Sequence, residues 1–386
     1  MRKICCVAHH HYDEHPHMRR DLETLVENGY NVDVICLGRK GQKYKETIKG
    51  VNVYRIPLRH HRGGIIRYLM EYAIAFILFS ITASFLHLKK MYSAIEVDNM
   101  PDYLVFSGLV PKFFGARIVL YIFDNVPEYF AFKHGIDEKH PVTRVWRFIE
   151  GISASFSDHV IVTQSAAKET LQRHGIPGSK ITVVLNTPKE GIFYPIEVQD
   201  STNNNERFVI MTHGVILHSY GNQTVIQAIP ILIDRIPELE VRIVGFGEYL
   251  DKLKRLAKDL RVEDYIVFTG RVPHSEIPGI ISEAAVGIVP KLVDLMLPVK
   301  LMEYVAMGKP VVASAQPTMK AYFDNSSIMF FEPGNEKDLA RCILEIYLNP
   351  SKGRAMAYCA SKQFEKYKWE VVKYDYLGIY ESLLSG

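Results

Sequence analysis

The stretch Leu297–Ser314, LPVKLMEYVAMGKPVVAS, reads as a short helix that halts at a glycine and runs into a buried strand. Pro298 suits the first helical position, where its missing N–H is no loss, and Gly308 suits the residue just past the end. The same rhythm recurs upstream. FVIMTHG, LEVRIVGFG, YIVFTGRV and AVGIVP are strand-like runs, separated by helical sequence such as NQTVIQAIPILIDRI and YLDKLKRLAKDL. In the first half KICCVAHH, NVDVICLG, VNVYRIP, ARIVLYIFD and DHVIVTQ alternate with helical stretches in the same way. Continuous Val/Ile runs separated by helices imply parallel sheets covered on both faces.

The polar break VQDSTNNNER, Val198–Arg207, divides the two series. The expected fold class is therefore α/β, with two Rossmann-like domains whose parallel sheets face a central cleft. Residues 1–197 form the first domain, 198–207 the linker and 208–368 the second domain. An amphipathic tail, 369–386, is expected to be a helix free to pack back on the first domain. Ligands belong outside the carboxyl ends of the strands.

A chain of 386 residues exceeds one ordinary core, which agrees with two domains. Its 48% hydrophobic and 23% charged residues are an ordinary globular balance. A formal charge of +3 suits the handling of anions or nearness to acidic lipid, and no nucleic-acid motif accompanies it. The five cysteines are odd in number, with no spacing for zinc or a disulfide framework, so a reducing cytoplasm is the expected home. The start MRKICCV has too short an apolar run for a signal peptide and reads as a strand.

Lys300 and Glu303 interrupt the apolar surface of the opening helix, three residues apart on one face. Lysine ahead of glutamate opposes the helix dipole at both positions, so a solvated ion pair is the weaker explanation. An anion at the helix N-terminus is the stronger one, held by free backbone N–H groups and the Lys300 ammonium. Glu303, one turn deeper, would accept hydroxyl hydrogen bonds as a carboxylate does on a ribose. A diphosphate joined to a ribose satisfies both groups.

PVKLMEYVAMGKPVVAS resembles the signature of retaining glycosyltransferases of the GT-B fold, in the family-4 group that builds bacterial polysaccharides. VRIVGFGEYLDKLKRLAKDLRVEDYIVFTGRVPHSEIPGIISEAAVGIVP resembles that family's donor-domain core, and DHVIVTQSAAKETLQRHGIPGSKITVVLNTP the end of its acceptor domain. FFEPGNEKDLARCILEIYLNP and the helix at Trp369 resemble its C-terminal end. The resemblance implies a metal-independent transfer from a nucleotide-diphosphate sugar, a UDP-sugar ahead of a GDP-sugar, with retained anomeric configuration. No separate cofactor is implied. It makes Glu303 the ribose ligand, places Arg271 and Val272 of TGRVP against the base, and puts Gly214 at the sugar-nucleotide cleft. Gly245 and Gly247 would let backbone approach the nucleotide. Pro298, Val299 and Lys300 complete the expected donor set.

The chain departs from the family pattern at three places. Leu295, with Asp294 beside it, stands where members carry a first glutamate. Val215 and Tyr220 stand where they carry an arginine and a lysine against the leaving diphosphate. Lys300 is the expected substitute, since departure of a nucleoside diphosphate needs charge stabilised where it develops. The alternative is a catalytically silent GT-B subunit that binds a nucleotide or a partner transferase.

On the acceptor side, VLYIFDNVPEYF places Asp124, Asn125 and Glu128 at a strand's carboxyl end. Asp124 is the candidate to steady positive charge at the reacting sugar, with helix capping by Asp124 or Asn125 as the structural alternative. EVDNMPDY adds Asn99, and AHHHYDEHPHMRRD adds Arg19 and Arg20, whose guanidinium forks suit a phosphate or carboxylate. The five histidines of that stretch fit no metal-ligand spacing, and no metal is expected. The expected acceptor is a glycan or a lipid-linked glycan. YAIAFILFSITASFLHLKK, Tyr72–Lys90, is apolar nearly all round and has basic flanks. It reads either as a helix of the first domain or as one lying in an anionic membrane interface, which leaves open a peripheral place at the inner face of the membrane.

Overall fold

The computed structural model describes residues 2–58, 65–137, 139–189, 191–195 and 207–385. Most of the expected linker, residues 198–206, and the basic flank 59–64 lie outside the described residues. The chain divides into two compact units, Met1–Asn186 with Val372–Gly386, and Thr187–Val371.

Among the described residues the first unit holds an eight-stranded sheet in the order β3-β4-β2-β1-β5-β6-β7-β8. Its strands are β1 (Lys3–Val7), β2 (Asn31–Leu37), β3 (Lys45–Ile48), β4 (Val51–Ile56), β5 (Ala94–Asp98), β6 (Arg117–Ile122), β7 (His159–Val162) and β8 (Ile181–Val183). Every pairing is parallel except β3 with β4. β3 (KETI) was not readable as a strand because it is an edge, paired on one side and mostly exposed, so no apolar run marks it.

The two faces of this sheet follow from strand alternation. Cys5, Val7, Ile95, Val97, Ile118 and Leu120 share a core with Ala75, Phe79, Ala83 and Leu86 of the helix Ile65–Lys90 and Ala154 of the helix Pro141–Phe156. Glu96 points the other way. There the C-terminal helix Trp369–Leu384 covers the sheet, and both Tyr376 and Tyr380 donate to the buried Glu96 carboxyl, the former at 3.0 Å.

The second unit has six strands among the described residues, all parallel, in the order β11-β10-β9-β12-β13-β14. They are β9 (Phe208–His213), β10 (Leu239–Val244), β11 (Ile266–Gly270), β12 (Val286–Val289), β13 (Val311–Ser314) and β14 (Met329–Phe331). The chain winds outward from β9 in one direction and from β12 in the other, so the crevice of a doubly wound sheet opens between their carboxyl ends. The opening helix runs Val299–Ala306, one residue later than expected, because Pro298 keeps an extended ψ of 124° and serves as the cap. Gly308 follows in the left-handed region at φ 67°. The helix lies flat on β12: a Cβ on Gly287 would come within 2.4 Å of the Tyr304 ring.

Candidate functional site

β9 ends in Thr212–His213, and the helix Val299–Ala306 lays its first turn beside that end. Lys300 is only 7% exposed. Its Nζ donates to Thr212 Oγ1 at 3.3 Å and lies 3.8 Å from where a Cβ on Gly214 would stand. Burial lowers its pKa to about 7, with the nearby Lys291 charge adding to the fall and Glu303 opposing it. Lys291, just beyond β12, is 4% exposed and donates to Met296 O at 3.0 Å. Both ammoniums stand 5.4 Å from the centre of the Tyr220 ring. Two cations are thus buried around one aromatic ring at the sheet's switch point.

Glu303 does not face solvent as a partner for Lys300. His213 Nε2 lies 2.6 Å from its Oε2, His274 Nε2 lies 3.3 Å from its Oε1, and His213 Nδ1 is 2.9 Å from the Tyr304 hydroxyl. Burial would raise the Glu303 pKa, yet the hydrogen bonds to both histidines bring it down to about 2. Glu303 is therefore a fixed anion. A carboxylate has about four acceptor sites, so two histidine contacts leave room for hydroxyl donors.

The glycines of this region serve loop crossing. A Cβ on Gly245 would meet Gly214 O at 1.9 Å, and one on Gly247 would meet Ile216 O at 2.1 Å. Gly214 N donates to Val244 O and Ile216 N to Phe246 O, both at 2.9 Å. Gly245 and Gly247 are thus packed against the 214–216 loop, a contact that only residues without a Cβ permit. Arg271 sets its guanidinium 4.9 Å from the Phe246 ring centre, joining the β10 and β11 loops, and Val272 is half-buried next to it. Asp294, beside Leu295, accepts from Thr318 N at 3.0 Å through its Oδ2 and so holds the start of the helix Pro317–Lys320.

In the first unit the switch falls between β1 and β5, and the acceptor candidates gather at the ends of these strands and of β6. Asn99 donates to Asp124 O at 2.7 Å and Asp102 Oδ1 at 2.9 Å, and accepts from Phe123 N at 2.9 Å. Its amide braces the loop that carries Asp124 and Asn125, which corrects the direct acceptor role expected of it. Asn125 is the N-cap residue of the helix Val126–His134 but makes no capping bond, and its buried Nδ2 has no partner among the described residues. Arg19 is partly exposed and ion-paired to Glu23 at 3.7 Å. Arg20 is buried against Asp21 at 2.7 Å, which removes it as an acceptor ligand. The histidines stack instead of splaying: His10 on His15 at 4.0 Å between ring centres, and His17 against Phe123 at 4.5 Å. Burial depresses the pKa of all three, that of His15 to about 3, so they form a neutral wall beside the Asp124 loop.

Family models match both units. Residues 15–187 match "Glycosyl transferase 4-like domain" and residues 194–363 match "Glycosyl transferases group 1". An uncharacterized glycosyltransferase of Methanocaldococcus jannaschii is 23% identical over 95% of this chain and 93% of its own. A GDP-mannose-dependent alpha-(1-6)-phosphatidylinositol monomannoside mannosyltransferase of Mycolicibacterium smegmatis is 37% identical over 19% of each chain. Among solved structures, sucrose-phosphate synthase of Thermosynechococcus elongatus superposes with a TM-score of 0.79 at 18% identity, and Anabaena HepE with UDP-glucose at 0.76 and 16%, each covering 100% of both chains. The chain belongs to the family-4-like GT-B glycosyltransferases.

The transferase uses a nucleotide-sugar donor. Sequence reasoning reached Lys300, Glu303 and Gly214, which the structure brings to one place, and missed Lys291, His213 and His274. KLVD after a strand carries no motif, and a single histidine at a strand end carries none either. Only the fold puts them beside Glu303 and Lys300.

Proposed function

We propose that this glycosyltransferase binds the donor diphosphate between Lys300 and Lys291, with the ribose hydroxyls on Glu303. The observation that supports this is the pair of ammoniums buried around Tyr220, in the region where Val215 and Tyr220 replace the family's usual cations. A buried ammonium is expensive to charge alone and inexpensive beside an anion, so such a pair is suited to a diphosphate that gains charge as the glycosidic bond breaks. Asp124 is the carboxylate assigned to steady positive charge at the anomeric carbon, with Asn125 and Arg19 as acceptor contacts.

In this reading the sugar leaves through an oxocarbenium-like state and the acceptor attacks from the same face, so configuration is retained. The departing phosphate oxygen takes the acceptor proton. The donor is a UDP-sugar ahead of a GDP-sugar: HepE, whose structure contains UDP-glucose, shares the fold over the whole chain, and the GDP-mannose-dependent relatives align over at most 42% of it. The acceptor is a glycan or lipid-linked glycan in cell-surface polysaccharide synthesis, and the protein works in the cytoplasm at the inner face of the membrane. The phosphatidylinositol monomannoside acceptor named for the mycobacterial relative supports a lipid-linked one. The polypeptide from 1 to 197 is proposed as the acceptor domain and from 208 to 368 as the donor domain.

A catalytically silent subunit is the second reading, favoured by Leu295 in the place where members of the family carry a first glutamate. A thermal-shift screen against UDP-, GDP- and ADP-sugars, followed by a transfer assay with the stabilising donor, separates the two. A donor that raises the melting temperature and is hydrolysed or transferred supports the enzyme. A donor that stabilises and is never turned over, under any acceptor, supports the silent subunit.

A further inference from the structure

The helix Ile65–Lys90 is long and apolar enough to cross a membrane by composition, yet one face is packed into the sheet: Phe79 and Ala83 are fully buried. The opposite face is bare. Met70, Ile74, Ile77, Ile81, Phe85 and Leu88 recur at spacings of three and four, and each is between 46% and 61% exposed. Single exposed apolar residues are ordinary, but a stripe along a whole helix is not. The stripe does not stop there. Phe113, on the short helix packed beside it, is 85% exposed. Phe148 is 67% exposed on the helix Pro141–Phe156, which packs on the 102–108 turn that also meets the helix Ile65–Lys90. All these residues lie on the outer side of one helical layer of the first unit.

Basic side chains outnumber acidic ones at the rim of this layer, where Asp158 is paired to Lys112 at 3.2 Å. The Lys89 ammonium sits 4.1 Å from the Phe85 ring centre. Beside Phe148 a groove of about 460 Å³ is lined by Arg144, Arg147 and Lys180 together with Ile152. The acids of the two long helices are Glu71 and Glu150, and Glu150 is fully buried against His174. A second copy of the chain would set this basic rim against itself across a two-fold axis, which like charges oppose. An anionic surface with an apolar interior answers both features.

We propose that the outer side of this helical layer docks on an anionic lipid bilayer, with Ile81, Phe85, Phe113 and Phe148 at the acyl boundary and a lipid phosphate in the Arg144–Lys180 groove. This deepens the reading of a membrane-associated transferase by naming the surface. The test is vesicle flotation of the full chain without donor or acceptor, so its outcome is independent of whether sugar is transferred. Wild-type protein floats with phosphatidylcholine–phosphatidylglycerol vesicles and, with phosphatidylcholine alone, floats about tenfold less. The exposed double change Ile81→Ser/Phe85→Ser lowers binding to the anionic vesicles by about tenfold or more with an unchanged melting temperature. Arg144→Ala/Lys180→Ala lowers binding to anionic vesicles while leaving that to phosphatidylcholine unchanged. Wild type that stays unbound in both preparations overturns the proposal, as do variants that float like wild type. So does a dimer that Ile81→Ser/Phe85→Ser dissolves, since the face would then belong to a second copy.

Discussion

Donor binding should take up a proton at Lys300, and the uptake should vanish when the lysine is replaced. The folded protein holds this ammonium at a pKa of about 7, through burial first and Lys291 second. A nucleotide sugar's diphosphate carries no proton in this range, so its arrival raises the pKa of Lys300 without titrating itself. One unit above that pKa, near pH 8, roughly nine-tenths of the side chain is neutral and protonating it costs about 1.4 kcal/mol, or tenfold in donor affinity. One unit below, the side chain is already charged and the cost disappears. Calorimetric titration of a UDP-sugar in buffers of different ionisation enthalpy reads the proton count directly, expected at about 0.9 near pH 8 and about 0.1 near pH 6. Lys300→Met should flatten this dependence and weaken binding at every pH. An enthalpy that is buffer-independent near pH 8, or a Lys300→Met protein with the wild-type profile, would refute the reasoning. Stability moves the opposite way. Because the folded pKa lies below the unfolded value of 10.5, the unfolded chain binds more protons between about 7 and 10.5, and stability rises with pH across that window. Lys300→Met should therefore stabilise the donor-free protein, most of all below about pH 7.

Three further outcomes follow from the same geometry. Lys291→Met should raise the pKa of Lys300 toward its ordinary value, by removing the neighbouring charge, and shift the proton uptake to higher pH while lowering turnover about a hundredfold, the scale of one lost electrostatic stabiliser. Gly245→Ala should lower the melting temperature and donor affinity together, since its Cβ would stand 1.9 Å from Gly214 O and its φ is 143°; a cost of about 2 kcal/mol or more in chemical denaturation is expected. Burial, despite the Tyr380 and Tyr376 hydrogen bonds, holds the Glu96 pKa above the carboxylate range, so the folded chain keeps a proton the unfolded one has lost. The Glu96 contribution to stability should thus fall as pH rises from mildly acid to neutral, so Glu96→Gln should lose less stability than wild type, or gain more, between denaturation curves taken at the two ends.

The architecture was legible because buried parallel strands announce themselves as unbroken Val/Ile runs, and the helix-then-strand grammar of LPVKLMEYVAMGKPVVAS sets the period. Elements without an apolar run, such as the edge strand KETI, were silent. In the candidate site, Lys300 and Glu303 stood out because a cation ahead of an anion contradicts the helix dipole, and such a local contradiction points to something outside the helix. The partners of those residues did not stand out. His213 and Lys291 reach them through the sheet, 90 residues from Glu303 in the first case, and no local spacing encodes a contact of that range. The same limit hid the bracing of the Asp124 loop by Asn99 and the burial of Arg20 against Asp21. Both are polar residues whose bonds are made inside the fold, although their positions in the sequence look like surface.

A crystal structure with an intact UDP-sugar bears most directly on the central claim. The account predicts diphosphate oxygens at about 3 Å from the Nζ atoms of Lys300 and Lys291, and a ribose hydroxyl donating to Glu303. A nucleotide seated away from the β9–β12 crevice, with Lys300 still bonded to Thr212 and Glu303 to its histidines alone, would contradict it.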